Sequence, residues 1–217
     1  MMALSWPLPL ESFFEGLPIQ KISCRLGRAE TSSETGGGEV ISHGMGTRLW
    51  RGRIVLDKEI HTYWAAIEAK LALLEQPGAS LLLRDTRVNG TRFDPQLAIL
   101  GTSNPQIANL AANNRELDLS GLPANYKIAA GDLLGFTYGA TPTRYAYHRV
   151  VVGAEAGVTG IASDIEVIPF IRPGAQVGRP VTLGVPVLKA RIANAEYGQS
   201  RARLSEGGSF EWTQTLR

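Results

Sequence analysis

Met45-Gly46-Thr47-Arg48-Leu49-Trp50-Arg51-Gly52-Arg53-Ile54-Val55-Leu56 alternates Trp50, Ile54 and Leu56 on one face with Arg51, Arg53 and Val55 on the other. Side chains on a strand point to opposite faces with a period of two, so this pattern predicts a strand with one buried and one wet face. The next residues change period. Asp57 offers an N-cap oxygen and Glu59 suits a helix first turn, and Ile60, Trp64, Ile67, Leu71 and Leu74 then recur at spacings of four, three, four and three. That is one apolar stripe on a helix ended by Pro77-Gly78.

Upstream, residues 17–28 carry Ile19, Ile22, Cys24 and Leu26 and read as an imperfectly alternating strand. A polar run follows, residues 30–39, with Thr31, Ser32, Ser33 and the triplet Gly36-Gly37-Gly38, which cannot pack a core. Two strands about a flexible tip predict a long β-hairpin arm, residues 28–53. Downstream, residues 80–84 read as a short apolar strand, and Asn89-Gly90 is the dipeptide best suited to a tight hairpin turn.

From about residue 97 to 179 short strands alternate with turn signals. Residues 108–111 and 116–119 flank Asn113-Asn114, residues 133–138 follow Gly131-Asp132, residues 144–152 follow a turn, and residues 165–171 alternate again. No helical period interrupts them, so a small β-barrel or sandwich is expected. Residues 185–193 and 209–216 return to longer strands across a charged link, and the last places Phe210, Trp212 and Gln214 on one face. The expected fold is therefore mainly β. A discontinuous main domain, residues 1–96 and 180–217, is a β-sandwich-like body with one α-helix and the arm, and residues 97–179 form the inserted small β domain, dispensable if it closes on itself.

The 217 residues are enough for a real core, and 24 Gly with 12 Pro fit a chain that turns often. A net charge of +2 lacks the concentrated basic excess of a dedicated nucleic-acid binder. Arg predominates over Lys, which suits planar contacts at an interface. No stretch reaches 18 uninterrupted apolar residues, and residues 1–16 lack the layout of a secretory signal, so neither a membrane anchor nor export is expected.

Catalytic signals are weak. Cys24 is the only cysteine, which excludes a disulfide and a four-thiolate zinc site and leaves a small buried hydrophobe. His43, His61 and His148 share no metal-ligand spacing, and His148 reads as a strand residue bonded across a sheet. No G-x-S-x-G or phosphate-loop GKS/GKT occurs, and Gly44-Met45-Gly46 leads into a strand where a dinucleotide loop needs a helix. Asp85, Asp94, Asp132 and Glu166 could supply a glycosidase pair, but Asp in turns more commonly bonds its own backbone. Asn89-Gly90-Thr91 is formally a glycosylation acceptor. Tyr126, Phe136, Tyr138, Tyr145 and Tyr147 would make a sugar-stacking face if displayed, and a small core if not. No enzyme activity, metal or cofactor is expected.

In order and spacing, Leu49-Trp50-Arg51-Gly52 running into Val55-Leu56-Asp57 and the helix, Ala112-Asn113-Asn114-Arg115-Glu116-Leu117, Gly131-Asp132-Leu133-Leu134-Gly135-Phe136 and Phe210-Glu211-Trp212-Thr213-Gln214-Thr215-Leu216 resemble a distal tail protein of long-tailed bacteriophages or prophages. The likeness runs from about residue 49 to 217. It implies a structural virion protein at the tail tip, assembled in the bacterial host cytoplasm. Such a protein forms a homo-oligomeric ring, usually a hexamer, that joins the tail tube protein to hub or baseplate proteins, with DNA only in transient passage through the channel. The family has no catalytic residues to carry over. Arg48, Trp50, Arg51, Arg53 and Ile54 are the expected oligomer interface, one side burying apolar area and the other offering forked donors. The rival readings are a carbohydrate or host-receptor binding module and a hydrolase.

Overall fold

The computed structural model describes residues 5–216. After a single 3-10 turn (Phe14–Gly16), the chain forms β1 (Ile19–Ile22), β2 (Arg25–Leu26), β3 (Glu30–Glu34), β4 (Val40–Gly44), β5 (Trp50–Leu56) and β6 (Glu59–Ile60). Helix α1 (His61–Leu74) and β7 (Leu81–Leu83) follow. Then come β8 (Gln106–Leu110), β9 (Glu116–Ser120), β10 (Leu133–Tyr138), β11 (Arg144–Val152), β12 (Ala162–Ile168) and β13 (Val181–Leu183). The chain closes with β14 (Leu188–Glu196), β15 (Ser200–Arg201), β16 (Leu204–Ser205) and β17 (Ser209–Gln214). The protein is mainly β with a single helix among the described residues.

The main lobe is a sandwich-like body around a sheet ordered β1-β5-β17-β14-β7, with β2 also on β5. Both ends of the chain build it: β17 pairs antiparallel with β5, Phe210 opposite Ile54 and Trp212 opposite Gly52. The period-two reading of β5 and β17 holds along both strands, with Ser209 the buried exception on the outer face and Val55 half-buried. Trp50, Ile54 and Leu56, and Phe210, Trp212 and Gln214, are buried, while Arg51, Arg53, Glu211 and Thr213 are exposed. Against the buried face lie Trp64, Ile67, Leu71 and Leu74 of α1. Gly52 lies opposite the break between β1 and β2, where the chain passes so close that a Cβ would lie 1.7 Å from the Ser23 carbonyl oxygen.

Helix α1 begins later than the sequence suggests. Ile60 is its N-cap in extended backbone and is 54% exposed, because Glu59 and Ile60 pair instead with Ser205 and Leu204 of the short hairpin β15-β16. Asp57 turns its Oδ1 back to accept the Lys58 N–H and caps nothing. Ile60 therefore drops out of the buried stripe.

The second sheet runs β13-β10-β11-β12-β9-β8. Its two outer strands meet again, since Ile107 N–H donates to the Arg179 carbonyl at 3.0 Å and Val181 N–H to the Pro105 carbonyl at 2.8 Å. The sheet thus closes as a small six-stranded barrel with its own core of Ile107, Leu119, Leu134, Ile165 and neighbours. Strand β13, Val181–Leu183, pairs with β10 and so belongs to this barrel. The expected boundary at residue 180 is corrected accordingly: the barrel continues through Leu183. Asn89-Gly90 makes no hairpin either. Gly90 is a close-approach residue, where a Cβ would lie 2.4 Å from the Asp94 carbonyl oxygen.

The barrel is joined to the main lobe by a buried seam. Leu133 and Tyr147 belong to the main-lobe core. The Trp50 indole N–H donates to the Tyr147 carbonyl at 2.8 Å, its ring meets Tyr147 edge-on at 5.3 Å, and the Arg149 guanidinium lies 5.1 Å over it. Gln214 adds a second tie, accepting the Trp50 backbone N–H and donating to the Tyr145 carbonyl. The segment that its turn pattern presents as separable therefore covers part of the main core.

Candidate functional site: the arm and the cleft at its root

Strands β3 and β4 form the arm, a ladder of five pairs from Glu30↔Gly44 to Glu34↔Val40. The strands reach further toward the tip than a polar Gly-rich run suggests, leaving a turn of residues 35–39 in which the Glu39 N–H donates to the Thr35 hydroxyl. Every ladder residue is exposed. Val40 is 64% exposed, Ile41 51% and Met45, at the root, 71%. Two strands without a third or a covering helix are marginal in water, and both edges show free backbone groups.

Directly opposed residues share a face. Glu30, Ser32 and Glu34 lie with Val40 and Ser42, while Thr31 and Ser33 lie with Ile41 and His43. The arm carries Glu30, Glu34 and Glu39 and no Lys or Arg between Arg28 and Arg48, so it is an acidic projection.

At its root is a cleft of about 370 Å³, lined by residues 46–48 on the arm side and 168–173 of the barrel, with Asn114. One wall is apolar, with Ile168, Pro169, Phe170, Ile171 and Pro173. The other component is cationic. Arg48 lines the cleft and donates its Nε–H to the Gly27 carbonyl at 3.0 Å. Arg172 lines it too and donates to the Arg48 carbonyl at 3.3 Å, while its Nη1 is buried with no hydrogen-bond partner among the described residues. Burial pulls the Arg172 guanidinium below its ordinary pKa. Arg115 stacks over the exposed Phe170 ring at 4.7 Å. None of Arg48, Arg115 and Arg172 pairs with a carboxylate among the described residues.

The residues expected at an interface divide. Trp50 and Ile54 are 1% and 0% exposed inside the main core, so they present no apolar face to a partner. That expectation is corrected: the side of β5 opposite the arginines is already covered by the chain's own helix and barrel. Arg53 is exposed but engaged within the chain, its Nη2 reaching Glu196 at 2.5 Å and Ser209 at 2.7 Å. The Ser209 hydroxyl and the Arg53 charge hold the Glu196 carboxyl below its usual value. Arg51 is exposed on the open face of the main sheet, and Arg48 alone of the set lies at the cleft. Sequence reasoning missed Arg115, Phe170 and Arg172. Their signal, an Arg beside Asn113-Asn114 and an aromatic just past a strand, is ordinary turn composition until the barrel closes.

Several chemistry-bearing residues elsewhere are engaged within the fold. The Asp132 carboxylate accepts the Arg92 and Ala129 backbone N–H groups, and Asp94 accepts that of Leu100. Burial would raise the Asp85 carboxyl, but hydrogen bonds from Arg87, at 2.6 and 2.8 Å, outweigh it and hold the group low. Burial, with the Asp85 charge beside it, pushes the Cys24 thiol up to about 12, which makes it a poor nucleophile. Among the described residues no three His, Cys, Asp or Glu gather as a metal set. Tyr126, Phe136, Tyr138 and Tyr147 are all buried at 5% or less, so they pack cores and offer no stacking platform.

His148 is buried across the barrel sheet, stacked on Phe136 at 5.6 Å, and its Nδ1–H donates to the Pro169 carbonyl at 2.8 Å. Burial chiefly, with the Arg172 charge nearby, lowers its pKa to about 4. The unfolded chain takes up this proton near pH 6.5 and the folded one does not until about 4. Stability is thus full above pH 6.5 and falls as pH drops toward 4, by up to about 1.4 kcal/mol per pH unit from this group. Urea unfolding of the parent and of His148→Phe across that window checks it, the variant losing that part of the slope whatever its baseline.

No protein-family model matches the chain, and no curated protein matches it.

Proposed function

We propose that the chain is a structural protein of a bacteriophage or prophage tail, a distal tail protein that assembles into a closed ring, sixfold, joining the tail tube to the hub or baseplate at the tail tip. The observation that carries assembly is the arm: a ladder with no packed face, exposed Val40, Ile41 and Met45, and open edges on both sides. Such an element is stable and soluble when a partner covers it. The place in a tail rests on the resemblance carried by the segments at residues 49–57, 112–117, 131–136 and 210–216. Its partners are then further copies of itself, the tube protein and hub proteins, with DNA passing through the central hole.

Negative-stain imaging with native mass measurement of the purified full chain tests this. Six copies of the 23.4 kDa chain give roughly 140 kDa in a ring with a central hole. Single copies at every concentration up to hundreds of micromolar contradict it.

A further inference from the structure

We propose that the cleft at the arm root receives the arm of a neighbouring copy, the face bearing Glu34 and Val40 lying against Phe170 and the guanidinium groups of Arg115, Arg172 and Arg48. The ring-forming reading supplies only the number of copies; the docking itself follows from four features of one chain.

The first is charge. The arm carries three Glu and no Lys or Arg, while Arg48 and Arg172 line the cleft and Arg115 stacks on its Phe170 wall, none of the three with a carboxylate partner among the described residues. Arg favours planar, paired contact with carboxylates, and a half-buried guanidinium at an interface gains most from one. The second is the match of faces. Because Glu34 stands opposite Val40, one arm face offers an acid and an apolar group side by side, as the cleft offers arginines beside an apolar wall. The third is volume: about 370 Å³ lies within the range of roughly 300–1,000 Å³ over which clefts take ligands, enough for a few side chains.

The fourth feature decides whose arm it is. The ladder runs unbroken from Glu30↔Gly44 at the root to Glu34↔Val40 near the tip, so the tip cannot fold back onto its own root. The occupant must come from another copy. Tip meeting root joins two different surfaces, a head-to-tail contact, and head-to-tail contacts propagate into closed rings when the rotation closes.

The test has two arms, both on the full chain. In the first, Glu34→Arg and Arg115→Glu, both at exposed positions, are each expected to raise the concentration for half-assembly about tenfold, and the double variant to return it to within about threefold of the parent, since reversing both charges restores the pairing. Single variants that assemble like the parent, or a double variant worse than either, overturn the docking. In the second, chains carrying Val40→Cys and Phe170→Cys are mixed under mild oxidation. Cys24 is buried with its thiol pushed up to about 12 and stays silent. A disulfide forming in the mixture, and in neither variant alone, supports the contact, because bridging needs Cα atoms within about 7 Å. That crosslink in a chain that stays otherwise monomeric supports the docking and removes the ring; a ring without it keeps the ring and removes the docking.

Discussion

Replacing Trp64 with alanine is expected to lower the unfolding free energy by about 3–5 kcal/mol, the usual cost of truncating a fully buried aromatic. Trp64 is 0% exposed, packed with Ile67, Leu71 and Leu74 under the main sheet and against Gly208 just before β17. A helix of this length is marginal without its packed face, so most of its stability comes from that burial. The Trp64 indole N–H has no hydrogen-bond partner among the described residues. Trp64→Phe therefore orphans no acceptor and should cost less than about 2 kcal/mol. Urea unfolding followed by circular dichroism separates the two variants. A loss below about 1 kcal/mol for Trp64→Ala would mean that the stripe does not carry the core.

Trp50→Ala is expected to be equally damaging, by about 3–5 kcal/mol, and to act in a second place. It removes the ring that packs against Tyr147 at 5.3 Å and the N–H that satisfies the Tyr147 carbonyl at 2.8 Å, so it loosens the seam between main lobe and barrel as well as the main core. Here the phenylalanine variant behaves differently from Trp64→Phe. Trp50→Phe keeps much of the area but leaves the buried Tyr147 carbonyl without that donor, which adds about 1–3 kcal/mol. Differential scanning calorimetry reads both effects: one transition in the parent, and a broadened or split one when the seam is weakened. A Trp50→Phe variant as stable as the parent would show the seam bond to be of no consequence.

These two residues also mark what the sequence could and could not say. Trp50 and Trp64 were legible because each sits in a period its neighbours repeat, two residues in β5 and three to four in α1, and burial follows period directly. The strands β10 and β11 were legible to the residue for a different reason, the Gly-containing turns that bracket them, since neither alternates in burial. Ile60 misled because a local pattern cannot see that residues 204–205, far along the chain, claim its backbone. Asn89-Gly90 misled similarly, a strong turn dipeptide used for close packing against Asp94 and Pro95. The candidate site was least legible. Phe170 and Arg172 follow β12 and Arg115 precedes β9, and these two segments come together beside residues 46–48 because the barrel closes through residues 105–107 and 178–181 and docks by Trp50. No local period encodes such a meeting.

Hydrogen–deuterium exchange of the arm, measured across a concentration series of the full chain, tests the central claim that the arm is the joint between copies. In dilute single chains the amides of β3 and β4 should exchange within the fastest class, because a lone two-stranded ladder opens readily. As the mass rises to that of the ring, protection should appear in residues 30–44 and at residues 168–173 over the same concentration range. Rings whose arm amides exchange as fast as those of the single chain would contradict the account and move the contacts to the open face and edges of the main sheet.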